Sequence, residues 1–325
     1  MRQVLLALLP ATAGSVYFFG WISAGIIGLS VITCVLTEWL FVRKSSGRVS
    51  EAVFVTALLF ALTLPPTVPL PMVVLGAVFG IVFGKMAFGG FGANIFNPAM
   101  VARAFLYITF PVYMTNRWIP AADLSDFPGG FGTWRFSAGP YADSITTATV
   151  SHAYKAGAET LPGLAQLFFG HIHGRFVVMG ETTLIGGGSL GETSAFLLLF
   201  GGIYLLIRKT ARWRLVTGFF VTYFLFQSLL YFWVAGTTVP DPVVAVLSGG
   251  IVLGGFFMVT DPVSAAKTST GQWIYSGLIA VVAALIRSFS LFAGGLMFAI
   301  LIGNMFASLI DFSVRSLQKQ QEKHS

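Results

Sequence analysis

The chain reads as an all-α polytopic membrane protein, with about ten transmembrane helices in two related halves and one long loop outside the bilayer. Three observations predict this. Of the 325 residues, 56% are hydrophobic and only 10% are charged, against about 25% charged in a typical soluble domain. Apolar runs of about 20 residues, the length that crosses a bilayer as a helix, recur along the sequence. Lys and Arg gather in short clusters between those runs.

The runs cover residues 4–20, 21–42, 51–65, 70–88 and 97–114, then 193–207, 215–235, 242–259, 272–289 and 291–312. Prolines interrupt several of them, at Pro65-Pro66, Pro98 and Pro262. Such interruptions predict broken or re-entrant segments, tolerated only where protein or a cavity surrounds the exposed backbone. The chain divides into a first membrane half (1–114), an extramembrane segment (115–192), a second membrane half (193–312) and a tail (313–325).

Orientation follows from the basic clusters. Arg43, Lys44 and Arg48 follow the second run; Arg208, Lys209, Arg212 and Arg214 follow the sixth; Arg315, Lys319 and Lys323 follow the tenth. With ten crossings all three fall on one side, which the positive-inside rule makes cytoplasmic. Both termini then lie in the cytoplasm and segment 115–192 lies outside it. Loops that long are usually functional or disordered. Its Trp118, Phe131, Trp134, Phe136, Tyr141 and Tyr154 argue for folding or docking rather than disorder.

The net charge of +7 does not imply a nucleic-acid partner, because the basic residues are distributed as topology signals. No signal-peptide cleavage pattern follows the first apolar run. Cys34 is the single cysteine, so the chain alone can supply neither an internal disulfide nor the thiolates of an iron–sulfur cluster. It reads as an apolar filler.

Two stretches echo one another. Thr67-Val68-Pro69-Leu70-Pro71-Met72-Val73-Val74 resembles Thr238-Val239-Pro240-Asp241-Pro242-Val243-Val244, and each opens a glycine-rich run. Related halves are a recurrent design of membrane transport folds. The two echoes run in the same direction in this topology, so they do not demonstrate an inverted repeat.

Gly76, Gly80 and Gly84, and again Gly250 and Gly254, recur every four residues. This puts a bare strip on one helix face, for close approach of another helix or, alternatively, as a flat wall for a planar ring. Residues 85–100 place Gly89, Gly90 and Gly92 ahead of Asn94 and Asn97-Pro98. The glycines suit a helix break or the close approach of a ligand, and Asn97 suits an N-cap. Asp261-Pro262 is the counterpart after the eighth run; it reads as an N-cap or, being ionisable at a helix break, as an ion-path residue. Glu38, Lys85, Arg103 and Arg287 carry the same alternative less strongly, and the three cations also suit snorkelling to an interface. His152, His171 and His173 lack the carboxylate or thiolate partners of a metal site. There is no P-loop or dinucleotide fingerprint. Asp143-Ser144-Ile145-Thr146-Thr147-Ala148-Thr149 is, on its chemistry alone, a polar Thr-rich loop.

That heptapeptide resembles the flavin-transferase acceptor motif Asp-x-x-(Ser/Thr)-Gly-Ala-(Thr/Ser). Asp143, Thr146, Ala148 and Thr149 match it, and Thr147 replaces the usual Gly. Residues 83–100, 188–194 and 257–264 are in turn similar to core signatures of the family formed by the D subunit of Rnf complexes and the B subunit of Nqr complexes, in the same order along the chain. The resemblance implies FMN joined through a phosphoester to Thr149. It also implies a second, noncovalent flavin (riboflavin) between spans, for which Gly89, Gly90 and Asn97 are candidate contacts. Asp261 is the candidate for an ion path. The implied assembly is an ion-translocating oxidoreductase in a bacterial inner membrane, with the flavin loop periplasmic. Partner subunits would handle NAD(H) and the iron–sulfur centres, and a flavin transferase would mature this one. The Rnf form couples ferredoxin and NAD⁺, the Nqr form NADH and a quinone. The short N-terminus leans toward the Rnf branch; residues 52–66 and 101–105 look like Nqr. A solute channel or transporter without redox chemistry is the reading of another class.

Overall fold

The computed structural model describes residues 1–43, 48–115, 119–122, 127–135, 162–172, 175–178, 181–184, 187–234, 239–290 and 294–324. All ten predicted apolar runs form helix. The first half contains α1 (Arg2–Phe19), α2 (Ile22–Val42), α3 (Ala52–Leu62), α4 (Leu70–Gly84), α5 (Pro98–Thr109) and the short α6 (Pro111–Thr115). In segment 115–192, α7 (Leu164–Phe169) precedes an antiparallel hairpin, β1 (Arg175–Val178) with β2 (Glu181–Leu184). The second half contains α8 (Ala195–Ile207), α9 (Trp213–Trp233), α10 (Pro242–Leu247), α11 (Ile251–Leu253) with a π-turn over Gly254–Met258, α12 (Ser269–Phe289) and α13 (Gly295–His324). Helix α13 runs without a break through residues 313–324.

Six helical stretches are long and apolar enough to cross a membrane unaided: Arg2–Phe19, Ile22–Val42, Leu70–Phe88, Trp213–Trp233, Ser269–Phe289 and Gly295–Glu322. The helices in the other four apolar runs are short or broken. Helix α3 has 11 residues, which at 1.5 Å per residue covers only about half of a 30 Å hydrocarbon core. Its C-terminal carbonyls would be orphaned there, and the chain supplies partners from far away in sequence. Gly191 N donates to Leu62 O at 2.7 Å and Leu190 N to Leu64 O at 3.0 Å. The extended stretch before α8 thus caps α3, and irregular backbone is enclosed in protein as a bilayer requires.

Packing partners recur in the two halves. Helix α4 packs on α2 and α5, and α12 packs on α9 and α13; α2 packs on α3, and α9 on α10. By these contacts α12 answers to α4, and the α10–α11 pair answers to α3. The sequence echo at 67–74 and 238–244 therefore joins stretches that are not equivalent in packing. Helices α1 and α8, the first of each half, pack on each other.

The glycine strips serve helix contact. A Cβ on Gly80 would sit 2.5 Å from Ala102 Cβ and 2.8 Å from Pro98 O, and one on Gly84 would sit 2.9 Å from Pro98 Cα. Gly254 meets Leu296 of α13 in the same way.

The described parts of segment 115–192 dock at one end of the bundle. Trp21, in the α1–α2 turn, donates from Nε1 to Phe131 O at 2.9 Å; Ile22 N donates to Trp134 O at 2.7 Å, and Ala122 N to Phe18 O at 2.9 Å. Phe131 also packs edge-on against Tyr17. The predicted docking role thus holds for Phe131 and Trp134, while Trp118, Phe136, Tyr141 and Tyr154 lie outside the described residues. The opposite end of the same helices carries Arg2, paired with Glu51 at 2.8 Å, and Arg212, bonded to Ala266 O at 3.1 Å. Arg2 and the described flanks of segment 115–192 thus lie at opposite ends of α1.

Candidate functional site

Asp143, Thr146, Ala148 and Thr149 lie outside the described residues. The described stretches on either side, 127–135 and 162–172, sit at the loop end of the bundle. Among the described residues, two cavities lie between the halves, one at each end.

The cavity at the basic end is built around two helix breaks. Helix α4 stops at Lys85, and Gly89, Gly90 and Gly92 follow with φ of 104°, 97° and 94°. Side chains other than glycine are strained in that region, so the tight reversal depends on these glycines. Asn97 then restarts the helix: its Oδ1 accepts from Ala99 N at 3.0 Å and Met100 N at 3.4 Å, with Pro98 in the first turn. This is the predicted N-cap. Lys85, Phe91, Asn94 and Asn97 line the cavity from the first half, and Thr260 and Asp261 from the second. Gly89 and Gly90 shape the turn without lining the cavity. Asp261 accepts from Val263 N at 2.9 Å, closing the break after the π-turn.

Lys85 does not snorkel. Its Nζ lies 2.6 Å from Glu38 Oε2 and 2.7 Å from Ser50 Oγ, and the side chains of Lys85 and Glu38 are 2% and 3% exposed. Glu38 Oε1 accepts from Ser50 N at 3.0 Å. Each buried charge is compensated and hydrogen-bonded, as burial demands. The halves are tied here by Asn304, which accepts from Asn97 N at 3.0 Å and donates to Tyr275 Oη at 2.7 Å. Nearby, Asp311 accepts from Lys267 N and Thr268 N and caps the start of α12.

The cavity at the loop end is charged differently. Arg103 of α5 pairs with Glu192 through Nη1 and Oε1 at 3.2 Å, with side chains 13% and 9% exposed. Arg287, in the last turn of α12, donates from Nη2 to Ser248 O at 2.9 Å and Ser248 Oγ at 3.2 Å. Ser248 occupies the break between α10 and α11. Arg287 thus stands at the end of α12 as Lys85 stands at the end of α4. All three charged residues line this cavity. Neither Arg103 nor Arg287 reaches out to an interface. Among the described residues no group of three His, Cys, Asp or Glu is arranged to hold a metal.

A family model described as NQR2, RnfD, RnfE matches residues 1–319. The chain belongs to that family. Among its relatives, the D subunit of the ion-translocating oxidoreductase complex of Aliivibrio salmonicida is 34% identical over 334 residues, covering 96% of this chain and 91% of the relative. The corresponding D subunit of Salmonella arizonae is 35% identical over 334 residues, with 97% and 92% covered. The B subunit of the Na(+)-translocating NADH-quinone reductase of Ectopseudomonas mendocina is 39% identical over 289 residues, with 85% and 63% covered.

Within this NQR2, RnfD, RnfE member, sequence reasoning singled out Asn97 and Asp261, and the structure brings both to one cavity. It did not find the partnership of Arg103 with Glu192, 89 residues apart, nor the cavity that their pairing borders. The available signal was a carboxylate in a glycine-rich stretch, Gly188-Ser189-Leu190-Gly191-Glu192, just ahead of an apolar run.

Proposed function

We propose that this chain is the membrane flavoprotein subunit of an ion-translocating electron-transport complex, of the RnfD type, and that it carries FMN as a phosphoester on Thr149. The observation that carries the reading is the acceptor motif Asp143–Thr149. It lies in a segment whose described flanks dock at the bundle end opposite the basic clusters. Positive-inside topology makes that end extracytoplasmic, and the membrane a bacterial inner membrane. Asp143, Thr146 and Ala148 serve recognition by a flavin transferase, and Thr149 accepts the flavin. The names of the relatives in both branches support a complex that couples electron transfer to ion movement. Other membrane and peripheral subunits supply NAD(H) chemistry and iron–sulfur centres, which fits a chain with one cysteine, Cys34, buried and unpaired.

A flavin brings reversible redox chemistry when bound; this chain positions it and sets its surroundings. The basic-end cavity suits a second, noncovalent flavin such as riboflavin. Lys85 and Asn94 offer polar groups beside the Phe91 ring, and Asn97 and Asp261 mark the two helix breaks. Gly89 and Gly90 hold the turn that brings Phe91 and Asn94 to the wall. Asp261 is the ion-path candidate there, the ionisable group at a helix break. Whether that ion is Na⁺ or H⁺ is set by side chains that line the whole path.

The relatives from the oxidoreductase complex align with 96–97% of this chain and the relative from the quinone reductase with 85%, which favours ferredoxin and NAD⁺ as the redox couple of the complex. The second reading is the B subunit of a Na⁺-translocating NADH:quinone reductase, favoured by the higher identity of 39%. Co-expression with a flavin transferase, followed by intact-mass measurement and peptide mapping, tests the flavin assignment. The peptide holding Thr149 is expected to gain FMN less one water. An unmodified chain beside a modified control substrate overturns the redox reading in favour of a solute transporter.

A further inference from the structure

Helices α9 and α12 share a cluster of cations where they begin, at the basic end of the bundle. Arg212 donates to Ala266 O at 3.1 Å, and Arg214 donates from Nη1 to Ser269 Oγ at 3.0 Å. These two bonds lay residues 212–214 alongside 266–269, which brings Lys267 into the same cluster. Arg208, Lys209, Arg212 and Lys267 are exposed, and Arg214 is half-buried. Residues 193–240 and 262–310 contain no Asp or Glu. Among the described residues no salt bridge uses Arg214 or Lys267. Asp311 of α13 does reach this corner, but its oxygens accept from Lys267 N, Thr268 N and the Thr268 hydroxyl, and Arg315 faces it. The cluster therefore keeps a surplus of positive charge at its surface.

Two tryptophans stand directly beside it. The Arg214 guanidinium lies over the Trp213 ring, 5.6 Å from its centroid, and Trp213 meets Trp273 edge to face at 5.8 Å. Both rings are exposed. Trp273 closes over α9 at Gly218, where an added Cβ would meet both its ring and Ser276 Oγ. Tryptophan is enriched where an apolar body meets lipid tails and a polar tip meets headgroups.

The rest of α9 shows what this surface faces. Val221, Leu225, Leu229 and Phe232 are exposed and recur at three- and four-residue spacing, so they form one stripe. Tyr231, Phe232 and Trp233 end the helix with a second exposed aromatic group. The 21 residues of α9 extend for about 30 Å, the thickness of the hydrocarbon core. Aromatic girdles one bilayer apart, joined by an apolar stripe, mark a face turned to lipid. Its one glycine, Gly218, is spent on α12 and leaves no small-residue strip for an outer helix.

We propose that the basic end of α9 and α12 binds one anionic phospholipid. Arg214, Lys267 and the Ser269 hydroxyl hold its phosphodiester, Trp213 and Trp273 lie at the level of its glycerol, and one acyl chain follows the stripe from Val221 to Leu229. A soluble phosphate would use the cations and leave the stripe idle. A zwitterionic lipid would bring its own cation into a site that already has a surplus.

The test is native mass spectrometry of the delipidated full chain in detergent, titrated with phosphatidylglycerol or with phosphatidylcholine of the same acyl chains. One copy of phosphatidylglycerol is expected to bind in preference to phosphatidylcholine. Arg214→Gln and Lys267→Gln are each expected to weaken it about fivefold, the worth of one basic residue at an anionic lipid surface. Arg214→Lys keeps the charge and is expected to keep most of the affinity. Lys319→Gln, on the tail of α13, removes the same charge elsewhere and is expected to change nothing. Equal binding of the two lipids overturns the proposal. So does an equal loss in Lys319→Gln, which would mean diffuse attraction, or displacement by millimolar inorganic phosphate, which would mean a soluble anion. If Arg214→Gln does not fold, the exposed Lys267 decides. In membranes that contain the assembled complex, a photoreactive phosphatidylglycerol is expected to label peptides from 213–225 or 267–274. Labelling that spares both while marking other surfaces would show a neighbouring protein on this face and overturn the proposal as well.

Discussion

Lys85 and Glu38 form an ion pair sealed inside the bundle, with Nζ 2.6 Å from Oε2 and both side chains almost fully enclosed. The pair fixes the end of α4 to the end of α2. Truncating one partner leaves the other charge uncompensated in a low-dielectric site, a loss of about 3–5 kcal/mol. Replacing both with apolar residues removes the uncompensated charge. Lys85→Met is therefore expected to lower the thermal unfolding midpoint of the detergent-solubilised protein sharply, and Lys85→Met with Glu38→Met to recover most of it. A double variant as unstable as the single one would mean that the pair is held by something other than charge compensation.

The interface of α4 and α5 is closed to any added atom at Gly80. The 2.5 Å approach of its notional Cβ to Ala102 Cβ involves two backbones, which cannot swing aside like a flexible side chain. Gly80→Val is expected to cost at least about 1–3 kcal/mol through overpacking. Gly28 is the counter-case: nothing lies within 4 Å of its notional Cβ, and it sits inside α2. Gly28→Ala should raise stability by about 0.5–1 kcal/mol through helix propensity alone. Thermal midpoints of the two variants should move in opposite directions.

These cases also show what was legible in the sequence. The ten helical runs were, because length and apolarity suffice to mark them. The N-cap at Asn97 was, because an amide side chain before Pro98 has few other local uses. The four-residue spacing of Gly76, Gly80 and Gly84 was, as a helix contact. Lys85 was open to misreading: a lone cation at a span end resembles a snorkelling residue until Glu38, 47 positions earlier, is placed beside it. The completion of α3 by Leu190 and Gly191 was likewise invisible, since nothing local to Leu62 announces a cap from so far along the chain. The echo of 67–74 in 238–244 came from shared loop chemistry, Pro after a short polar turn, and not from equivalent positions in the packing.

Asn304 carries more of the connection between the halves than Asn97 does. The side chain of Asn97 only caps its own helix; the link across the halves uses its backbone N–H. Asn97→Ala should cost about 0.5–2 kcal/mol, the loss of a cap. Asn304→Leu leaves both Asn97 N and Tyr275 Oη without the partner each has now. Stranding a buried polar group costs about 1–3 kcal/mol, so Asn304→Leu should be the more damaging change. Denaturation midpoints in detergent check the order, and an Asn97→Ala protein less stable than Asn304→Leu would reverse the roles.

The proposed flavin attachment gives the sharpest chemical prediction, because it requires a hydroxyl at position 149 to form the phosphoester. Thr149→Ala is expected to abolish covalent flavin completely, measured as loss of in-gel flavin fluorescence and of the FMN mass increment on that peptide. Thr149→Ser keeps a hydroxyl and is expected to keep the attachment. Thr146→Ala keeps the acceptor and alters only what the transferase recognises, so it should slow flavinylation rather than relocate it. Thr147→Gly restores the usual motif residue, and glycine frees the backbone to fit the transferase, so it should speed attachment. Covalent FMN persisting in Thr149→Ala would show that a neighbouring hydroxyl, Thr146 or Thr147, is the true acceptor.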